Sequence, residues 1–156
     1  MDVRTTLKRI WRSLTTRIYY GFAKFDTIEL ACKGSNFNVE VADTRRKIRL
    51  GLMYRRSMLA DHGMLFAYTE DRKHGIWMFN TRFPLDILWL DKSKAIVHIL
   101  KGAEPCRSIF DCQLNYPNSD ARYVVEFNAG TADRIGLRKA DKVSFSLDNR
   151  NQGKGI

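Results

Sequence analysis

The chain predicts a mainly β fold, a compact β-sandwich or barrel-like domain with two short helices, preceded by an N-terminal amphipathic helix. Three observations carry this. From residue 27 onward, seven or eight short segments alternate apolar and polar residues, the period of a half-buried strand. Turn-forming compositions such as Lys33-Gly34-Ser35-Asn36 and Asp91-Lys92-Ser93-Lys94 separate them. A length of 156 residues with 44% hydrophobic content is enough for one domain with a real core.

The first segment differs in period. Val3, Leu7, Ile10, Trp11, Leu14 and Ile18 recur at steps of three and four, the stripe of an amphipathic helix, so residues 1–25 are expected to be a basic helical extension. Strands are then expected at Thr27–Cys32 and Phe37–Ala42, joined as a hairpin. Asp43 or Thr44 can cap a helix running to about Tyr54, with Ile48 and Leu52 on its inner side. Further strands are expected at Gly63–Tyr68, Ile76–Thr81, Asp86–Asp91, Ala95–Leu100, Arg122–Asn128 and Lys142–Leu147. An irregular segment, Gly102 to Asp120, holds Pro105 and Pro117. A short helix from Ala132 to Leu137, capped by Thr131, precedes the last strand. The organisation is thus an extension (1–25), one β-rich domain (26–148) and a flexible tail (149–156).

Charge narrows the partners more than the fold. The net charge is +10, and residues 1–25 hold Arg4, Lys8, Arg9, Arg12, Arg17 and Lys24 against Asp2 alone, half of that total. Arg4, Lys8, Arg9, Trp11, Arg12 and Arg17 are therefore candidates to meet an anionic membrane surface or other polyanion, while the bland alternative packs the apolar stripe on the domain or on a partner protein. Arg45, Arg46, Lys47, Arg49, Arg55 and Arg56 form a second basic run with no acid inside it, open to nucleic acid or simply solvated. No apolar run reaches the roughly 20 residues of a membrane span, and charge interrupts the N-terminal segment too often for a secretory signal, which favours a cytoplasmic or peripheral-membrane location. Of three cysteines, Cys106 and Cys112 either pair across a tight loop or stay as thiols; their spacing is wider than that of common zinc sites.

The runs VADTRRKIRLGLMYR, GMLFAY, WMFNTRFPLDILWLD and YVVEFNAGTADRIGLRKADKV, in that order, resemble domain-of-unknown-function family 192, from about Asn38 to Ser146. The resemblance implies a compact β-sandwich-type fold, found mostly in bacteria and archaea and often exported, and it brings no reaction, substrate or cofactor. Two departures stand out. Ala140-Asp141 replaces the family's usual Gly-Asp before the last strand, where glycine would take a positive φ more readily. A basic amphipathic segment stands where many members carry a signal peptide.

Within GIWMFNTRFPLDILWLD, Asn80, Thr81 and Asp86 surround a connection where short polar side chains can bond free amides and fix a bend. The functional alternative makes Arg55, Trp77, Asn80, Thr81 and Asp86 the rim of a ligand site, an aromatic ring with convergent polar groups. Catalytic signatures are not found. His62, His74 and His98 lack HExxH spacing, and no phosphate loop or dinucleotide fingerprint occurs. No catalytic residue, metal or cofactor is assigned. The leading expectation is a binding or interaction module, tethered to a membrane surface or larger assembly by its N-terminal helix. A nucleic-acid-associated protein of a ribonucleoprotein or virion, and a hydrolase using Asp86 or Asp91 with His62 or His98, are the alternatives.

Overall fold

The computed structural model describes residues 23–106, 108 and 110–148. The expected N-terminal helix, with Arg4, Lys8, Arg9, Trp11, Arg12 and Arg17, and the tail from residue 149 lie outside the described residues.

Strands β1 (Asp26–Cys32), β2 (Ser35–Ala42), β3 (His62–Arg72), β4 (Leu85–Leu90), β5 (Ile96–Ala103), β6 (Ala121–Asn128) and β7 (Ser144–Phe145) form one sheet in the order β5-β4-β6-β3-β2-β1-β7. Only β2 and β3 run parallel; the other neighbours are antiparallel. The β1–β2 hairpin closes through two residues, Lys33 and Gly34, at φ 49° and 74°. Both central residues at positive φ is the turn whose twist matches that of the flanking strands.

The sheet curls into a half-barrel. At one end the segment before β7 reaches back to the start of β5, through an Ala95–Lys142 bridge and bonds from Ile96 N to Asp141 O (2.9 Å) and Ala140 N to Ile96 O (2.8 Å). Ala140 sits at φ 73° in this join, a conformation that glycine would adopt more readily.

Each face carries its own core. On the concave face, Leu30, Val39, Leu65, Leu88, Leu90, Ile96, Val125, Phe127 and Phe145 draw on all seven strands. On the convex face, Met64, Phe66, Leu85, Ile87, Trp89 and Val124 are covered by Leu52, Ile76 and Met78 from the connections. β4 is buried along its whole length, which explains why LDILWL reads as a nearly unbroken apolar run.

Helix α1 spans Arg45–Leu50, and the Thr44 hydroxyl accepts from Lys47 N at its start. It stops short of the expected Tyr54 because Gly51 turns at φ 47°, where an added Cβ would lie 3.2 Å from the Phe66 ring. The strand expected at Ile76–Thr81 is not one. Its alternation is real, with Ile76 and Met78 buried and Trp77 and Phe79 half-buried, but Asn80 at φ 57° breaks the extended path. The backbone pairs only at isolated bridges, Ile76–Asn115 and Phe79–Cys106, so the stretch is a loop laid over the convex face.

Helix α2 spans only Thr131–Arg134, shorter than the expected Ala132–Leu137, and Thr131 does not cap it. Gly130 occupies the cap position in the left-handed region, and the Ala132 amide instead donates to Asp86 Oδ2 from β4, at 2.8 Å. The last strand contracts to two residues because the stretch before it is spent on closing the half-barrel.

Candidate functional site: a cleft on the convex face

A cleft of about 810 Å³ opens on the convex face. One side is α1 and the turn after it, through Arg45, Ile48, Arg49, Leu52 and Met53; the other is β3 and the 74–81 loop, through Tyr68, Arg72, His74, Trp77 and Thr81. Trp89 fixes the loop by donating its indole N–H to the His74 carbonyl at 2.8 Å. The His74 ring then stacks on Tyr68 with centroids 3.5 Å apart. Its Nε2 carries the proton, because it donates to the Glu70 carbonyl at 3.0 Å. Burial holds the His74 pKa below the ordinary value, so the imidazole is neutral near pH 7.

The floor holds an acid. Strand register sets Glu40 beside Met64, Met64 beside Glu126, and Glu126 beside Ile87 across the convex face. Glu126 is 4% exposed and lines the cleft. Its carboxyl takes no hydrogen bond among the described residues and opens on the cleft, since no side-chain oxygen or nitrogen sealed from solvent lacks a partner. Burial raises its pKa from 4.5 to about 8, against the opposing pull of Arg55. The Arg55 guanidinium is already engaged by both Glu40 oxygens, at 2.6 Å each, which leaves Glu126 only its longer-range field. Burial, with Glu126 second, also pushes the Tyr68 phenol up. The site therefore presents two neutral proton donors, a carboxylic acid and a phenol, at neutral pH.

The residues expected to rim a site are dispersed. Trp77 and Thr81 line the cleft. Arg55 stands behind it in its pair with Glu40. Asn80 donates to the Tyr54 hydroxyl at 3.0 Å. Asp86, fully buried on the concave side, accepts from Gly102 N (2.9 Å) and Ala132 N (2.8 Å). Of the hydrolase candidates, Asp91 accepts from Ser93 N and Ala95 N within its turn, His62 pairs with Asp61, and His98 lies against Trp89. Neither aspartate bonds either histidine among the described residues.

Cys106 and Cys112 are joined as a disulfide, with Cα atoms 5.4 Å apart, in the segment that pairs with the 74–81 loop. Among the described residues no three His, Cys, Asp or Glu side chains converge as metal ligands, and no helix is long and apolar enough to cross a membrane.

The sequence around Glu126 carries a signal of its own. In YVVEFN, Tyr123, Val125 and Phe127 mark one face, and Glu126 falls with Val124 on the other. In a strand covered on one side only, that acid would be solvated. β6 lies between β4 and β3, near the middle of the sheet, with both faces covered.

These features define a small half-barrel domain with a polar-floored cleft on its outer face. The chain belongs to the DUF192 family (Uncharacterized ACR, COG1430), whose family model matches residues 28–145. A UPF0127 protein of Thermococcus gammatolerans is 28% identical over 117 residues, 74% of this chain and 71% of its own. Among solved structures, one from Sinorhizobium meliloti 1021, described as a "putative transcription regulator", is similar at a TM-score of 0.73 and 33% identity, covering 79% of this chain and 96% of that one. Another, a protein of unknown function from Novosphingobium aromaticivorans, is similar at 0.68 and 28% identity, covering 77% and 84%. None of these descriptions names a ligand or a reaction.

Proposed function

We propose that this domain is a small-molecule binding module and that the convex cleft is its site. One observation carries the reading: the Glu126 carboxyl opens on the cleft floor and takes no hydrogen bond from the described residues. A carboxyl at the bottom of a recess, with no partner from the protein, is a hydrogen-bonding point for whatever enters it. Trp77 and Tyr68 supply flat apolar surface beside it, and Thr81 a further polar group. Few convergent polar groups in a mostly apolar recess is the usual composition of such sites.

The neutral dye N-phenyl-1-naphthylamine tests the site without knowledge of the natural ligand. Its fluorescence is expected to rise on mixing with the full chain. Met53→Trp fills the cleft from its half-buried wall and is expected to weaken dye binding about tenfold or more, roughly the 1.4 kcal/mol per decade of affinity. Equal dye binding by the wild type and by a folded Met53→Trp protein would remove the cleft as the site.

A further inference from the structure

The mouth of the cleft differs in character from its floor. Arg45 and Arg49 are four residues apart on α1 and so project from the same side of that helix, and Arg72 faces them from the end of β3. All three are exposed, and none has an ion-pair partner among the described residues. Two acids share the mouth. Asp43 is engaged by Lys47 at 3.3 Å, and Glu70 is the remaining one. Positive charge therefore exceeds negative charge at the entrance, above aromatic walls and a floor that ends in an unpartnered carboxyl. This layout sorts ligands by chemistry. A cation meets repulsion at the mouth. A small neutral molecule leaves the arginines without a counter-charge.

Resting on the reading of the cleft as a ligand site, we propose that its ligand is a small organic anion with a planar or apolar body. The carboxylate, sulfonate or phosphate group seats among Arg45, Arg49 and Arg72. The body lies against Trp77 and Tyr68, and a hydrogen-bond acceptor on it takes the Glu126 proton. Guanidinium groups suit this role because they donate in a planar fork and keep their charge at any physiological pH. The carboxyl at the floor then does not repel the anion, since burial raises its pKa to about 8 and keeps it protonated at neutral pH.

Two dyes with one ring system make the test. 1-Anilinonaphthalene-8-sulfonate carries a sulfonate that N-phenyl-1-naphthylamine lacks. At low salt and pH 7 the sulfonate dye is expected to bind the full chain about tenfold more tightly, as one charge-assisted contact would give. The double substitution Arg45→Gln and Arg49→Gln, on an exposed helix face, is expected to remove most of that advantage while leaving the neutral dye within about twofold. Equal affinities for the two dyes, with no response to the arginine changes, would overturn the anion specificity and leave the cleft as a site. Loss of both dyes' dependence on Met53→Trp would instead overturn the site itself. A duplex oligonucleotide supplies the third arm. Salt-sensitive binding of the duplex that needs the two arginines, with sulfonate-dye binding unaffected by their loss, would reassign the charge to a polyanion surface.

Discussion

Glu126 makes the protein's stability depend on pH in an unusual direction. Most carboxylates are paired or bonded in the folded state and stabilise it as pH rises above their pKa. Here the folded pKa is raised, from 4.5 to about 8, chiefly by burial. Folded chains therefore hold a proton that unfolded chains release, and stability is fully present below pH 4.5 and lost as pH rises through 8. Each pKa unit corresponds to about 1.4 kcal/mol, so a loss on the order of 2–4 kcal/mol is expected between pH 5 and pH 9 from this group alone. Glu126→Gln keeps the shape without the titration. Urea midpoints of the variant and the wild type are expected to agree near pH 5 and to separate toward pH 9, the variant being the more stable. Parallel pH profiles for the two proteins would show that Glu126 is not buried as described.

At the scale of elements, what the sequence discloses depends on how local each cause is. The β1–β2 hairpin was legible because its signals lie within the hairpin: alternation on both sides and Lys33-Gly34 between them. The strong register of Tyr123, Val125 and Phe127 was equally plain. The Ile76–Thr81 segment misleads because alternation reports which side chains are buried, not whether the backbone has a neighbouring strand to bond. Trp77 and Thr81, which the sequence places on a candidate ligand rim, line the cleft. Glu126, Tyr68 and the arginine mouth reach it from elements distant in the chain, which no local spacing records. Asp86 has the same character. Its two bonds, to Gly102 and Ala132, join β4 to the end of β5 and to α2 across long sequence gaps. Asp86→Ala strands the buried Ala132 amide and releases the part-buried Gly102 amide, and is expected to cost about 2–4 kcal/mol in chemical denaturation. Asp86→Asn retains one accepting oxygen and should cost roughly half as much. An alanine variant as stable as the wild type would refute the tie between β4 and α2.

For the whole molecule, the half-barrel divides labour between its two faces. The concave core draws on every strand and closes through the join of residues 94–96 with 140–143, so the sheet holds together without the outer connections. The convex face is covered by segments with little regular structure: α1 and its turn, the 74–81 loop and the 104–120 segment. These are also the parts that form the cleft, so the site rests on the less regular layer while the sheet fixes its floor. The Cys106–Cys112 disulfide lies in that outer layer. Its half-cystines are six residues apart, and closing so short a loop in the unfolded chain corresponds to about 2 kcal/mol. Reduction, or replacement of both cysteines by serine, is therefore expected to lower stability by about that amount. The far-UV circular dichroism spectrum of the sheet should be unchanged at 25 °C, because no strand of the sheet contains either cysteine. Neutral-dye affinity should fall in parallel, since Cys106 pairs with Phe79 at the back of the loop that carries Trp77. Loss of the β signal on reduction would mean that the sheet depends on its outer layer, and the division between a self-sufficient concave core and a tunable convex site would have to be abandoned.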